Sequence, residues 1–459
     1  MITYQDFLGF AHRDDAVRAV IADHTSSEAY KIALEADEYD RQKNVTIYNY
    51  IKTMFTASGS QVLDFTAANS RIASNFFHRL NTQRVTYSLG NGVSFVNKRR
   101  EVSPDGTSIT VDSTKDALGA DFDTRLQEAA YDALKHGCSF VFWNVDRLHV
   151  FPFTEFAPLY DEMTGILRAG VRFWRLTPSK PLTATLYEED GFETYRTDSL
   201  TGRLELLQPK RAYKQTIYTS DADGEEIVGE QNYGSLPVVT LWGNKLHQSV
   251  LVGLQRAIDS YDLIRSGFAN DLSDCAQIYW IVSNAGGMTE AELAKFRDRL
   301  KIQHIAVADT DNSNVTPYTQ EIPYGARQAY LDSIRAEIYE CYGGLDVHTV
   351  AAGATNDHIA AAYQPMDEEA DDFEYQLIQC IRQILALQGI DDFPVFKRNR
   401  ICNEMEQVQM VMMEAQYLDD ETILQKLPNI SVDEIEGILL RRGAMSEDRF
   451  EEEEEPESL

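Results

Sequence analysis

The chain has no Cys-x-x-Cys pair, no zinc-ligand spacing and no phosphate-cradling glycine loop, and each absence removes a class of protein. Its five cysteines stand singly at positions 138, 275, 341, 380 and 402. An odd, scattered set offers neither a disulfide framework nor a zinc ribbon, and points to a reducing compartment. The pattern G-x-x-x-x-G-K-[ST] is missing, which argues against a P-loop ATPase, and H-E-x-x-H is missing too. Gly90-Asn91-Gly92 lacks the third glycine of a dinucleotide loop and opens a strand, so it reads as a turn. No apolar run approaches the roughly 20 residues that cross a bilayer. The opening MITYQDFLGF has no basic stretch followed by an apolar core, so no signal peptide is expected. No cofactor and no metal are expected either.

Positive charge is also scarce. Lys and Arg number 42 against 73 Asp and Glu, a formal net charge of −31. Binding nucleic acid by neutralising phosphate needs clustered Lys and Arg, so that mode is disfavoured. A negative surface suits a protein that lets nucleic acid pass without holding it, although solubility alone is the plainer reading of composition. The chain is 459 residues long, beyond the size at which one core stops growing, and 43% of it is hydrophobic. Several structural units with sizeable cores are expected.

Apolar periodicity predicts helices over much of residues 1–85, in YDRQKNVTIYNYIKTMF and AANSRIASNFFHRLNTQRVTYSL. FDTRLQEAAYDALKHG predicts a helix over 122–137, closed by Gly137 in a left-handed cap. Alternating and aromatic-rich stretches from 138 to 240 predict antiparallel strands with turns at Asp190-Gly191 and Thr201-Gly202. LVGLQRAIDSYDLIRSGFANDLSD then predicts a long helix with one stripe: Leu251, Leu254, Ile258, Tyr261, Phe268 and Leu272. A strand (276–284), a short helix with a Thr289–Glu292 capping box, and a strand in HIAVAD follow. A second long helix carries Leu331, Ile334, Ile338 and Cys341 and stops at Gly343-Gly344. A small-residue loop precedes a third long helix from about Ile359 to Gly389, broken near Pro365. The remainder reads as helical, and EDRFEEEEEPES as a solvated charge run. Two long helices flanking a small inserted unit can run antiparallel as a stalk.

These strings, in this order, resemble the portal proteins of tailed bacteriophages, the head-tail connectors of the siphophage type. LPVVTLWGNK, then AIDSYD and ANDL ahead of an aromatic-aliphatic strand, look like the family's approach to its stem and clip. LDSIRAEIYECYGGLDV resembles the second stem helix and the start of the tunnel loop, and LDDETILQKLPNISVDEIE the crown helices. DALKHGCSFVFWNVD and LRAGVRFWRL are similar to the wing's strand pairs, and NSRIASNFFHRLNTQRVTYSLGNGVSF to the passage from helix into the wing sheet. The resemblance spans roughly residues 35–440. One departure is the loop LDVHTVAAGATND, richer in small apolar residues than the family's usual polar stretch.

The resemblance implies an α+β portal fold: helical stem, small α/β clip, wing of antiparallel strands plus long helices, and helical crown, assembled as a ring oligomer. The regions expected from it are N-terminal helices and wing 1–246, stem helix 247–276, clip 277–323 and second stem helix 324–343. Tunnel loop 344–356, long wing helix 357–400, crown 401–446 and acidic tail 447–459 complete the chain. It further implies a twelve-fold ring at one capsid vertex, a virion component assembled in the host cytoplasm, through which double-stranded DNA is packaged and ejected. The implied partners are further copies of the chain, the large terminase motor, a head-completion adaptor, and the major capsid and scaffolding proteins. Passing DNA would be held weakly and without sequence preference; no membrane and no catalysis are implied.

Candidate site residues follow from this plan. Gly344, Asp346, His348, Thr349, Gly353 and Asn356 would shape the tunnel loop. Lys295, Arg297, Arg299 and Lys301, on one side of the short inserted helix, would form the clip's docking surface, though a solvated face is the plainer reading. Leu254, Ile258, Tyr261 and Phe268 would pack the stem against its partner helix and neighbouring subunits, and the first three would be left exposed in a monomer. Arg256, Arg265, Arg327 and Arg335 could face a channel or pair with acids. His348 and His358 beside Asp346 and Asp357 read as solvated loop residues, and Asp391-Asp392 and Asp419-Asp420 as caps and turns. The rival readings are a virion structural protein that forms no ring and a head-associated DNA-processing enzyme.

Overall fold

Alternating, aromatic-rich sequence between 138 and 242 folds as antiparallel sheet in the computed structural model. The structure describes residues 2–55, 59–63, 69–97, 99–102, 108–111, 113–198, 202–220, 224–275, 279–283, 289, 291, 314–318, 324–349, 356–400, 404–418, 423, 424, 426, 427 and 437–439. The chain divides into two compact units, one of residues 1–27, 81–248 and 343–459, the other of 28–80 and 249–342. Residues 28–80 thus fall with the long helices, whereas the sequence expectation ran a single first region from 1 to 246.

In the first unit a five-stranded antiparallel sheet has the spatial order Glu205–Arg211, Gly191–Thr197, Leu182–Glu188, Leu167–Trp174, Phe156–Tyr160. A three-stranded sheet has Cys138–Asn144 between Val238–Trp242 and Arg147–Pro152. Helix Phe122–His136 covers the smaller sheet and ends where predicted, at Gly137 with φ 97°. Its buried face carries Ala129, Ala130 and Ala133 because the chain passes close by. A Cβ on Gly243 would stand 2.3 Å from the Ala133 carbonyl oxygen, so only glycine permits that approach. Phe140, Phe142, Phe151 and Phe156 build an aromatic core with Tyr187 and Tyr213. Phe140 and Phe156 lie 4.4 Å apart between ring centroids.

Residues near the N-terminus, silent in the sequence, are anchored on this sheet. Helix Arg13–Ser26 buries Val17, Val20 and Ile21. Its Arg13 guanidinium pairs with the buried carboxylates of Glu188, at 2.5 Å, and Glu193, at 3.3 Å. The His24 ring lies 2.9 Å from the Phe153 carbonyl oxygen, and burial holds its pKa below the ordinary value.

The helix Asn356–Gln388 runs continuously through Pro365, correcting the expected break. A proline costs an interior hydrogen bond, but packing opposes it here. Tyr363, Met366 and Ala370 on either side of Pro365 are buried against Tyr87 and Leu345.

The second unit holds helices Glu28–Asp40, Val45–Tyr48, Leu251–Cys275 and Tyr324–Tyr342, and the start of helix Phe76–Leu89. Two short antiparallel strand pairs accompany them, Thr53–Phe55 with Gln61–Leu63 and Tyr279–Ser283 with Asn314–Tyr318. The region expected to be helical before residue 85 therefore includes strand, and residues 69–75 are neither helix nor strand. The short inserted helix and HIAVAD lie outside the described residues, apart from Thr289 and Ala291.

Candidate functional site

The periodic stripe of helix 251–275 packs on helix 324–342. Leu251, Leu254 and Ile258 share a buried cluster with Ile334, Ile338, Tyr339 and Tyr342 of the second helix. At the other end Phe268 meets Tyr324 with ring centroids 5.6 Å apart, and Asp271 pairs with Arg327. Late residues of one helix thus meet early residues of the other, so the two run antiparallel. Between these ends Phe76 stands edge-on to Tyr261 at 5.0 Å and to Tyr339 at 6.1 Å.

Leu254 and Ile258 are 2% and 1% exposed within the single chain. This corrects the expectation that they wait exposed for a neighbouring subunit. Their cluster is completed from within, by Ala36, Tyr39, Phe77 and Leu80. Tyr261 and Phe268 are half-buried, and Leu272, assigned to the same stripe, is 53% exposed. Apolar residues left outside on these helices are Val252, Leu272, Tyr324 and Tyr330. Arg256 and Arg265 are exposed, and the Arg335 guanidinium lies 5.7 Å from the Tyr339 ring centre.

Past Ile258 the buried row continues at the same four-residue step but turns polar, through Asp262, Ser266 and Asn270. These side chains receive the backbone of residues 70–74. Asn270 Oδ1 accepts from the Ser70 N–H at 2.5 Å, Ser266 Oγ from the Ile72 N–H at 3.0 Å, and Asp262 Oδ1 from the Ser74 N–H at 2.9 Å. The spacings explain the fit. Four helical residues advance about 6 Å, and two extended residues advance about 6.6 Å. Every second N–H therefore meets every fourth side chain, with the segment antiparallel to the helix. Asn44 closes the end of this ladder, donating from Nδ2 to Asp262 and, at 3.1 Å, to the Ser74 carbonyl. Burial raises the Asp262 pKa above its ordinary value, against the hydrogen bonds from Asn44 and Ser74 that pull it down. One turn back, Asp259 accepts from Tyr39 Oη at 2.6 Å and Thr46 Oγ1 at 2.7 Å. Sequence reasoning followed the apolar stripe and passed over this row. The usable signal was the run of hydrogen-bonding residues four apart, in register with Leu254 and Ile258.

The loop residues are unequal. Leu345 is buried, and Gln83 clasps its backbone: Gln83 Oε1 accepts from the Leu345 N–H at 3.1 Å while Gln83 Nε2 donates to its carbonyl at 2.9 Å. Gly343, with φ 66°, stops helix 324–342 in the left-handed region. The first residues after that helix therefore belong to a core. Val347–Thr349 form one 3-10 turn, in which Asp346 Oδ1 accepts from the His348 N–H at 3.1 Å; Val347 and His348 are exposed. Gly344 is half-buried, and Asn356 opens the next helix. Gly353, together with Lys295, Arg297, Arg299 and Lys301, lies outside the described residues. Among the described residues no group of three His, Cys, Asp or Glu side chains is placed to hold a metal ion, and no helix is long and apolar enough to cross a membrane. Asp392 acts as a turn residue, accepting from Thr114 Oγ1 at 2.6 Å and the Phe393 N–H at 2.7 Å. Asp419-Asp420 lie outside the described residues.

Beyond helix 356–388 the chain is tied back by charge. Arg398 forms a two-pronged pair with Glu374, both contacts at 2.9 Å, and reaches Asp367 at 3.0 Å. Arg400 Nε donates to Tyr87 Oη at 2.8 Å. Burial alone would raise the Asp367 pKa, but hydrogen bonds from Tyr87, Arg400 and Arg398 hold it below the ordinary value.

Comparison with known proteins gives a consistent result. The family described as "Phage portal protein, SPP1 Gp6-like" matches residues 30–449. A portal protein of Clostridium phage phiCD119 is 23% identical over 403 residues, covering 81% of this chain and 85% of the relative. A portal protein of Bacillus phage SPP1 is 24% identical over 389 residues, covering 79% of this chain and 73% of the relative.

Proposed function

The chain belongs to the SPP1 Gp6-like phage portal protein family, and from that premise we propose that it is the subunit of a twelve-membered ring at one capsid vertex. In this reading the ring is the passage for double-stranded DNA during packaging and ejection. It is a channel and a docking platform, with no catalysis of its own. The observation that carries the proposal is the antiparallel pair of helices 251–275 and 324–342, whose ends are joined through the strand pair 279–283 and 314–318. Such a stave can stand beside copies of itself. Because Leu254 and Ile258 are already covered, the contact between copies falls to the apolar residues left outside, Val252, Leu272, Tyr324 and Tyr330. The net charge of −31 suits a wall that DNA slides past.

The inserted unit, with Lys295, Arg297, Arg299 and Lys301, is assigned to docking the terminase motor and later the adaptor. The loop from Asp346 to Asn356 is assigned to the channel constriction. It holds no Lys or Arg, so steric fit to DNA outweighs charge there. Electron microscopy of the purified chain tests the central claim: rings with an open centre are expected, and a species that stays monomeric at high concentration would refute it. Reversing Arg297 and Arg299 to Glu should weaken terminase binding and leave the rings intact. Deleting Ala351–Ala354 should leave rings and thermal stability unchanged while packaging falls.

A further inference from the structure

The first unit contains a cleft that none of the roles above uses. It has a volume of about 340 Å³ and lies where strands of the two sheets meet, with Arg172, Arg211 and His149 set among Phe151, Tyr187 and Tyr213. No carboxylate lines it among the described residues, in a chain where acids far outnumber bases. The Arg172 guanidinium carbon lies 4.3 Å from the Phe151 ring centre and 4.4 Å from that of Trp174. Its Nε is buried and has no hydrogen-bond partner among the described residues, and the Glu155 carboxylate stands 3.7 Å from its outer nitrogen. Arg211, half-buried at the end of the edge strand, has no carboxylate partner among the described residues. His149 reports the local field: burial and then the charges of Arg172, Arg147 and Arg125 push its pKa down. Guanidinium groups set beside aromatic faces match a ligand that carries both a carboxylate and a ring.

The chain itself contains such a ligand. Phe450 is followed directly by five glutamates, Glu451–Glu455. Phe450 lies eleven positions beyond Leu439, the last described residue, a reach of about 40 Å when extended. We infer that this cleft is a docking site for the aromatic-acidic stretch Phe450–Glu455, with the phenyl ring against the aromatic wall and the following carboxylates on Arg172 and Arg211. The cleft volume suits a few side chains, so Phe450 and its nearest glutamates form the anchor.

The test uses a fluorescein-labelled peptide of residues 446–459, titrated by anisotropy into the full-length chain and into a chain shortened after Arg449. Circular dichroism and the melting temperature establish that the shortened chain is folded. The shortened chain should bind the peptide, and the full-length chain should bind it about 10-fold or more weakly, because its tethered tail competes at high effective concentration. Arg211→Gln, a change on the open rim, should abolish binding, as should Phe450→Ala in the peptide. Raising the salt should weaken binding steeply. Equal binding to the full-length and shortened chains, or undiminished binding to Arg211→Gln, would overturn the inference. So would equal binding of a pentaglutamate without the phenylalanine, or binding of a mononucleotide in place of the peptide. If the shortened chain does not fold, full-length chain carrying Phe450→Ala takes its place: it should bind the peptide where the parent does not, and failure to do so is again refutation.

Discussion

One row of side chains runs the length of helix 251–275 at steps of four, and its two halves are buried against different things. Leu254 and Ile258 meet apolar side chains of helix 324–342 and of residues 36–80. Asp262, Ser266 and Asn270 meet the backbone N–H groups of residues 70–74. The apolar half gains from removing surface from water, an effect without direction that tolerates repacking. The polar half gains little net energy per bond, yet leaving any one of its groups unmatched is costly. The first half supplies adhesion; the second determines which segment lies along the helix and in what register.

The largest expected effect comes from placing a charge in the apolar half. Ile258→Asp buries an unpaired carboxylate and should destabilise the second unit by about 3–5 kcal/mol. A chain that melts like the parent would show that this cluster is not a core. Leu254→Ala probes the same half more gently, with a cost of about 2–5 kcal/mol according to how far the cavity collapses.

In the polar half, Asp262→Ala leaves the Ser74 N–H and one N–H of the Asn44 amide without an acceptor and should cost about 1–3 kcal/mol. Hydrogen exchange at Ser74 should accelerate with it, and an unchanged rate would remove the ladder from the account. Asp262→Asn separates charge from hydrogen bonding. Burial raises the folded-state pKa of Asp262, so the folded chain holds that proton to higher pH than the unfolded chain. Its contribution to stability therefore falls as pH rises from the ordinary aspartate value through the raised one. Asp262→Asn should flatten this segment of the stability profile in urea melts. Asp367, held below its ordinary value after burial is outweighed by its hydrogen bonds, acts with the opposite sign: its contribution is lost as pH falls.

Smaller effects follow. Ser266→Ala removes one neutral acceptor from the Ile72 N–H and should cost about 1 kcal/mol, read as a modest fall in melting temperature. Arg265→Ser, on the exposed side of the same helix, should stay within about 0.5 kcal/mol of the parent and serves as the reference for the series.

Much of the fold was legible because short-range chemistry decides it. The hairpin of strands 182–188 and 191–197, the helix stop at Gly137 and the lengths of helices 251–275 and 324–342 follow from alternation, turn residues and 3.6-residue periodicity. Other features were not. Pro365 reads as a breaker, and only the packing of Tyr363, Met366 and Ala370 explains why the helix continues. Residues 69–75 carry a helical pattern yet are not helical, because three of their N–H groups find acceptors on another element. Arg13 gave no signal, since its partners Glu188 and Glu193 lie about 175 residues away and are not marked as buried by their own neighbours in sequence. After helix 324–342 the anchor at Leu345 was not legible, because its partner Gln83 lies 262 residues back.

The sequence by itself determined most of the buried face of helix 251–275, the helix stops at Gly137 and Gly343, and the excess of acidic over basic side chains. Those properties depend on side-chain spacing and charge, which are written in order along the chain. What lies against each buried face was decided by the tertiary structure alone. Leu254 and Ile258 would suit a neighbouring subunit as well as the chain's own helices, because apolar surface has no address. Asp262, Ser266 and Asn270 accept from backbone N–H groups, which almost every residue carries, so no pattern in residues 70–74 names them as the partners. Only the folded chain, by bringing an extended segment alongside a helix with matching rise, makes that choice.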